Sequence, residues 1–328
     1  MNAGDVNAST PQAASRAGRG VPPRLCALSV DLDEITHYHA IHGLRAPEPA
    51  CANLVYDLAI ARCSEFARDF EVPVTWFVVA ADLARSANAK RVRELASAGH
   101  EIGNHSLTHP YELVRLTPSE QWRQIDGALE LFQHELGYRP RGFRAPGYSV
   151  NDALLTMVAK AGHLYDSSVF PSAPYYAAKA LALLALRLRG RHSKAILDSP
   201  ELLTAPRRPY RIGTPYTTRG AGLLELPVQV TRGPRLPFIG TALVLAGELG
   251  ARLLTELVIG EPFINLELHG IDWLGDGDPL APLRGFQPDV RIEHQRKRAI
   301  FGGVIARMRA AGYRFVTLSD AARQFAHL

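Results

Sequence analysis

From residue 24 onward, short apolar or β-branched runs alternate with longer stretches that have helical character. The strand-like runs are LCALSVD at 25–31, VPVTWFVVA at 72–80, HEIGNH at 100–105, GFRAP at 142–146, a short run at 163–166, LLELPVQV at 223–230, FINLELH at 263–269 and YRFVTLS at 313–319. The helical stretches are predicted near 50–70, 88–98, 119–136, 151–161 and 293–311. This alternation is typical of repeated β-α units around a mainly parallel sheet. We therefore predict an α/β fold with roughly seven strands, enough to close or nearly close a barrel.

The chain length leaves the domain count open, because 328 residues could form two domains of roughly 150 residues or one large α/β domain. We predict a single domain over 23–328. The first 22 residues are small and polar and lack the apolar segment of a secretion signal, so we expect a disordered tail and a cytoplasmic protein.

Charge and cysteine content exclude several classes of function. The net charge of +5 is too small to indicate a nucleic-acid-binding protein. The segment 171–222 has nine Lys or Arg against two acids, an excess larger than the net charge of the whole chain, but it lacks the regular aromatic spacing of a base-stacking platform. The three cysteines, Cys26, Cys51 and Cys63, have no C-x-x-C spacing, so we expect small buried residues and neither a disulfide framework nor a thiolate zinc site.

Polar side chains end several of the predicted strands. In parallel α/β folds the chemistry lies on loops at the carboxyl ends of the strands, so these residues are expected on one rim. The candidates are Asp31, Asp33, His105, His109, Arg144, Asp166 and His269.

His105 and His109 lie four residues apart in the segment HSLTHP. This spacing would place both imidazoles on one face of a helical turn, where they could share a cation. The alternative is a pair of solvated histidines near a turn marked by Pro110. Glu does not follow His105, which excludes the H-E-x-x-H helix of metalloproteases.

Asp31 and Asp33 alternate at the end of the first strand, so both side chains are expected on the same side. One carboxylate could then bind a cation while the other accepts a proton from water. The alternative is that either residue caps the following turn.

These motifs together resemble the polysaccharide deacetylase family, the NodB-homology group of carbohydrate esterases. The resemblance spans roughly 24–320 and rests on five segments in the family's order: SVDLDE, HSLTHP, RAPGY at 144–148, YDSSVFP at 165–171 and LELH at 266–269. The fold it implies is a distorted (β/α) barrel. It also implies that a divalent metal, usually zinc, is held by Asp33, His105 and His109.

The same resemblance implies a role for each remaining motif residue. Asp31 would be the general base, oriented by Arg144. His269 would be the general acid, with Asp166 tuning it. The backbone N–H of Tyr148 would help to hold the oxyanion. For Arg144 and Asp166 the alternative is a structural ion pair.

The expected activity is a metal-dependent hydrolysis that removes an N-acyl group, in the simplest case acetyl, from an amino sugar or glycan. Two alternatives remain: a deformylase or deacylase of a lipid-linked sugar at the inner membrane face, and a non-catalytic carbohydrate-binding barrel. Trp273, close after His269, is predicted to be a wall of the substrate pocket, with packing in the core as the alternative.

The basic segment 171–222 is interpreted as an insertion that overhangs the catalytic rim. Its apolar part, Tyr175 to Leu188, could lie in a lipid headgroup layer. Arg207, Arg208 and Arg211 could grip a diphosphate. The alternative is a helical hairpin that packs on the barrel with a solvated basic face.

Overall fold

The protein has an α/β fold built on one curled, mainly parallel sheet, as the sequence predicts. The structure, a computed structural model, describes residues 23–197 and 199–328. The disordered tail predicted for 1–22 lies outside the described residues.

Within these ranges the sheet contains nine strands. They are β1 (Arg24–Asp31), β2 (Val74–Val78), β3 (Glu101–Asn104), β4 (Gly142–Phe143), β5 (Tyr165–Asp166), β6 (Tyr210–Ile212), β7 (Arg219–Glu225), β8 (Phe263–His269) and β9 (Tyr313–Phe315). The α-helices of the described ranges are α1 (Ile35–Ile41), α2 (Ile60–Asp69), α3 (Ser86–Ser97), α4 (Pro118–Leu136), α5 (Asp152–Lys160), α6 (Ala173–Leu188), α7 (Gly240–Val258), α8 (His294–Ala310) and α9 (Leu318–Gln324).

The strand order β6-β7-β5-β4-β3-β2-β1-β8 places β1 between β2 and β8, and the start of β1 also pairs with β9. The parallel register aligns Asp31 with Phe77 on one side and with His269 on the other. At the far edge the sheet curls back, because the N–H of Gln229 donates to the carbonyl of Asn265 at 3.1 Å. The ends of distant strands therefore converge at one rim.

The core lies on both faces of the central strands. All of β1 after Arg24 is buried, as is every residue of β2, which is typical of parallel strands covered on both faces. Trp273 is also part of this core. Its ring is fully buried and lies 5.0 Å from that of Phe66 and 5.3 Å from that of Phe301. The prediction that Trp273 is a pocket wall is therefore wrong, because the turn after His269 directs it beneath the helices.

Three elements differ from the sequence prediction. The helix expected at 50–70 is broken into a 3-10 turn, a π-helical stretch at Val55–Ala59, and α2. At the start of the π-helical stretch, the N–H groups of Val55 and Tyr56 donate to the carboxylate of Glu34 at 3.3 and 3.0 Å. The strand count exceeds the predicted seven partly because β6, inside the basic segment, pairs antiparallel with β7. The long helix α7 was not predicted.

Two of the three arginines that were predicted to grip a diphosphate are paired with a carboxylate. Arg207 and Arg208 donate to the two carboxylate oxygens of Glu261 at 2.6 and 2.7 Å. Glu261 precedes β8 at its amino end, whereas His269 ends the same strand. The predicted diphosphate grip by these two residues is therefore wrong, since both donate to Glu261 at the end of the sheet opposite the rim.

Cys26 and Cys63 are buried and unpaired, as expected, and Cys51 is half-buried. Across the described ranges, none of the helices combines the length and apolarity that crossing a bilayer requires.

Gly142 tests the packing of the short strand β4. A Cβ at this position would lie 2.1 Å from the hydroxyl oxygen of Tyr165, a fully buried side chain that donates to Glu101 at 2.8 Å. We expect Gly142→Ala to lower the free energy of unfolding by about 1–3 kcal/mol, the usual cost of overpacking. Urea denaturation followed by circular dichroism measures this change.

Gly127→Ala is the matched control. Gly127 lies within α4, and the nearest atom to an added Cβ is 3.6 Å away. This change should raise the stability by about 0.5–1 kcal/mol, because alanine is the better helix former. Equal effects of the two substitutions would contradict the packing described for β4.

Candidate active site

Asp31 and Asp33 lie at the carboxyl end of β1, where the chain stays extended. The N–H of Leu32 donates to the carbonyl of Phe77 at 2.9 Å, which continues the pairing with β2. Alternate residues of an extended chain point to the same side. Both carboxylates accordingly face the interior of the curled sheet, and both are buried.

His105 and His109 are brought together by a loop and not by the predicted helical turn. Ser106 and His109 have positive φ angles of 68° and 57°, which no helical turn contains. The loop is fixed by α4: the N–H of Leu107 donates to the backbone carbonyl of Gln124, and the N–H of Thr108 donates to its side-chain oxygen, both at 2.9 Å. Such left-handed conformations in residues other than glycine are concentrated at functional sites.

The side chains of Asp33, His105 and His109 converge on one point. The Oδ1 atom of Asp33 lies 3.1 Å from the Nε2 atoms of both histidines, and all three residues are buried. Burial alone would raise the pKa of Asp33, but the neighbouring imidazoles of His109 and His105 hold it well below its ordinary value.

This cluster fits a divalent metal. The Nδ1 atom of His105 lies 2.7 Å from the carbonyl oxygen of Arg144 and can only donate to it, so Nε2 presents a lone pair to the cluster. Asp33 Oδ1 and the two Nε2 atoms are buried without a hydrogen-bond donor directed at them. One carboxylate and two imidazoles are ligands that zinc prefers, and three protein ligands leave room for substrate.

Arg144 is fully buried behind Asp31. Its Nη1 donates to Asp31 Oδ1 at 2.6 Å, and its other nitrogens donate to Ser29 Oγ and to the carbonyl and hydroxyl oxygens of Ser167. The guanidinium also lies 4.2 Å from the ring centroid of Phe77. Because this pair occupies Oδ1, the Oδ2 atom of Asp31 is left facing the cluster, 3.8 Å from His105 Nε2.

His269, at the end of β8, contacts a carboxylate that the sequence analysis did not identify. Its Nδ1 lies 2.9 Å from Glu267 Oε1, and its Nε2 lies 3.9 Å from Asp33 Oδ2. Burial alone would lower the pKa of His269, but Glu267, with smaller effects of Asp33 and Asp31, raises it well above its ordinary value.

Asp166 does not take the position that the resemblance implies for it. Its carboxylate accepts from the N–H and the hydroxyl of Ser168 at 3.0 and 2.8 Å, and its backbone is aligned with Glu225 across the β5–β7 pair. The carboxylate at His269 is that of Glu267, because residues two apart on β8 point to the same side. The assignment of Asp166 as the residue that tunes His269 is therefore corrected.

The backbone N–H of Tyr148 is already engaged. It donates to the carbonyl of Ala145 at 3.0 Å, within a turn in which Tyr148 has a positive φ of 64°. Because this N–H already has a partner, the oxyanion role that the resemblance implies for it is not supported. The ring of Tyr148 packs near the site instead, with its centroid 6.2 Å from that of His269.

A cavity of about 400 Å³ opens onto the cluster. Asp33 and His269 form part of its lining, and Tyr38, Tyr111 and Tyr175 are among its aromatic walls. Tyr175 belongs to α6, so this part of the basic segment does reach the rim, as predicted. None of these three tyrosines belongs to a motif that the sequence revealed. The partner of His269 could have been found, because Glu267 lies two residues before it on a predicted strand.

Comparison with known proteins supports the resemblance to the polysaccharide deacetylase family. Residues 60–165, which include His105, His109 and Arg144, match the sequence profile of the family described as polysaccharide deacetylase. A chitooligosaccharide deacetylase of Bradyrhizobium is 32% identical over 118 residues, which cover 35% of this chain and 48% of that protein. A peptidoglycan-N-acetylglucosamine deacetylase of Bacillus cereus is 28% identical over 117 residues, which cover 36% of this chain and 49% of that protein.

The matched segments span between 23% and 49% of the length of these and other curated relatives. Among solved structures, a Mycobacterium smegmatis protein named as a candidate polysaccharide deacetylase shares the fold. Its TM-score is 0.57 at 20% identity, with 93% of each chain covered. The resemblance seen in the sequence is thereby confirmed over one segment: residues 60–165 match the polysaccharide deacetylase family.

Proposed function

We propose that this protein hydrolyses the N-acyl group, acetyl in the simplest case, of an amino-sugar unit. The observation that carries the proposal is the buried cluster of Asp33, His105 and His109, placed between Asp31 and His269 at the base of one cavity. The deacetylase names of the two curated relatives, one for a chitooligosaccharide and one for peptidoglycan N-acetylglucosamine, support the choice of an amino sugar.

Asp33, His105 and His109 would hold a divalent metal, with zinc the best match to this donor set. When bound, such an ion would polarise the acyl carbonyl and stabilise the negative charge that develops on its oxygen.

Asp31 is the proposed general base. Arg144 occupies its Oδ1, so Oδ2 is the atom that takes a proton from the attacking water. The guanidinium is itself fixed by Ser29 and Ser167, so it holds the Asp31 carboxylate in one orientation.

His269 is the proposed general acid. The carboxylate of Glu267 lies 2.9 Å from Nδ1 and favours a proton there, which leaves Nε2 directed toward the cavity as the donor to the departing nitrogen. The water gives one proton to Asp31, its oxygen forms a bond to the acyl carbon, and the carbon–nitrogen bond then breaks as His269 protonates the nitrogen. The products are a carboxylic acid and a free amine, and the proton accepted by Asp31 balances the one that His269 donates. On release the acid gives its remaining proton to the solvent or to the amine.

The second candidate is the same reaction on an amino sugar linked to a lipid. It is favoured by the apolar residues that α6 and α7 place at the cavity, Pro174 and Ala178 on one helix and Ala242 and Leu245 on the other. Sugars present few surfaces that such a wall could contact, whereas an alkyl chain presents many.

The proposal predicts turnover of N-acetylated amino sugars. Zinc-loaded protein should convert at least one of three forms of N-acetylglucosamine to the free amine: oligomeric, nucleotide-linked or polyprenyl-linked. Mass spectrometry of the products measures the loss of the acetyl group. Tight binding of a sugar without turnover, in protein shown to contain metal, would contradict the proposal and indicate a carbohydrate-binding barrel.

Substitutions can distinguish the proposed metal ligands from the proposed general base. The double variant His105→Ala, His109→Ala should lose both the bound metal and the activity. Asp31→Asn should keep its metal and lose about a hundredfold or more in kcat, the usual effect of removing a general base. Elemental analysis of dialysed protein, together with steady-state kinetics, distinguishes these outcomes. Metal retained at full stoichiometry in the double variant would place the metal site elsewhere.

Glu267 and Asp166 give a direct comparison of two carboxylates. Glu267→Gln should lower kcat by about tenfold to a hundredfold, because His269 loses the partner that orients its ring and favours its charged form. KM and metal content should stay unchanged. Asp166→Asn should leave kcat within about twofold, since Asp166 hydrogen-bonds to Ser168. The opposite ranking of the two variants would restore the role that the resemblance implies for Asp166.

A further inference from the structure

Helix α6 is unusually apolar for a helix with so little packing. Its sequence, APYYAAKALALLALRL, contains only Lys179 and Arg187 as charged residues, yet of its sixteen residues only Leu186 is buried. Leu181, Leu184 and Leu188 are 68%, 53% and 80% exposed, and their spacing places them along one side of the helix. Helices that are apolar on most sides are ordinarily buried, so this surface is expected to have a partner.

Helix α7 carries a second set of exposed leucines. Four of its leucines recur at intervals of four residues and are exposed by 39–71%: Leu245, Leu249, Leu253 and Leu257. Leu245 lies near the amino end of the helix, which faces the cavity, and Leu249 follows the break in the helical backbone at Gly247. We call Leu181, Leu184, Leu188, Leu245 and Leu249 the leucine surface.

The leucine surface begins at the rim of the active-site cavity. Leu245 is half exposed and also lines the cavity, where Tyr175 and Ala178 contribute from α6. Leu181 lies one turn beyond Ala178 on the same helix. Exposed apolar area is therefore continuous with the walls of the site.

The charges beside this surface select an anionic partner. Between residues 171 and 197 the chain has five basic residues, Lys179, Arg187, Arg189, Arg191 and Lys194, and no Asp or Glu. Arg187, Arg189 and Lys194 are exposed. On α7 the exposed Glu248 and Arg252 offset each other, so the positive charge comes from the side of α6. An apolar helix with a basic end is the composition that binds at the surface of an anionic membrane.

We propose that the leucine surface docks this protein on an anionic lipid bilayer, with the mouth of the cavity turned toward the headgroups. A second copy of the chain is a less suitable occupant for two reasons. Two facing copies would bring the basic ends of α6 together, and they would cover the cavity of each active site. A bilayer matches both the apolar area and the charge.

Flotation of the purified full chain with lipid vesicles tests this docking directly, without any catalytic readout. The protein should bind vesicles of phosphatidylcholine that contain phosphatidylglycerol, and bind vesicles of phosphatidylcholine alone more weakly. Added salt should weaken binding, because attraction between exposed charges is screened within about 10 Å at 0.1 M. Arg187→Gln combined with Arg189→Gln should reduce the preference for the anionic vesicles.

Replacing Leu181, Leu184 and Leu188 by Ser should reduce vesicle binding by about tenfold or more, because each leucine contributes apolar area that would enter the lipid. These side chains are exposed, so the fold should be unaffected, which thermal unfolding verifies. Trp122→Ser with Tyr138→Ser is the matched control, since both are exposed large apolar residues (38% each) outside the leucine surface. Unchanged binding of the leucine variant, or an equal loss in the control, would overturn the proposal. So would a dimer in sedimentation that the leucine variant abolishes while vesicles bind neither protein.

One consequence for the substrate rests on the proposed function. With an N-acetylated amino sugar attached to a lipid in the vesicle, the leucine variant should lose about tenfold in kcat/KM, while kcat/KM for a water-soluble N-acetyl sugar stays the same. Absence of turnover on both substrates would refute the proposed function and leave the flotation result to decide the docking. An equal kcat/KM for the lipid-borne sugar in both proteins would overturn the link between docking and substrate.

Discussion

The guanidinium of Arg144, buried at the centre of the curled sheet, is the interaction on which the rest of the site depends. It joins β4 to the end of β1 through Asp31 and to the segment after β5 through Ser167. A buried charge is costly unless it is paired and hydrogen-bonded, and here several donors find acceptors. Removing Asp31 would leave this charge without its carboxylate partner in the core, and removing a serine would leave a buried N–H without its acceptor. The sheet therefore closes around this group in one arrangement, which also fixes the proposed catalytic carboxylate.

The strand register extends that constraint to the remaining side chains. Because Asp31 is aligned with His269 across the β1–β8 pair, the proposed base and acid face each other across the cluster of Asp33, His105 and His109. The carbonyl of Arg144 accepts from His105, so the same residue orients the proposed base through its side chain and a proposed metal ligand through its backbone. Small shifts of β4 would disturb both functions at once.

Much of this arrangement could be predicted from the sequence. The period of two along β1 correctly placed Asp31 and Asp33 on one side, and strand ends correctly predicted a shared rim for His105 and Arg144. The four-residue spacing of the histidines predicted a helical turn. This prediction was wrong, because the spacing carries no information on the positive φ angles that Ser106 and His109 adopt. The resemblance assigned Asp166 to His269, whereas the fold provides Glu267, which lies two residues away on the same strand and points to the same side. The contacts of Arg207 and Arg208 with Glu261 join segments far apart in the chain and carry no local signal.

In the proposed reaction a water molecule, activated at Asp31, is added to an acyl group. This step is tested most directly by incubating the zinc-loaded protein with an N-acetylated amino sugar in water enriched in heavy oxygen and measuring the mass of the released acetate by mass spectrometry. We expect acetate that carries one heavy oxygen atom and an equal amount of free amine, with both absent for Asp31→Asn. Release of unlabelled acetate, or equal labelling with the Asp31→Asn variant, would contradict it.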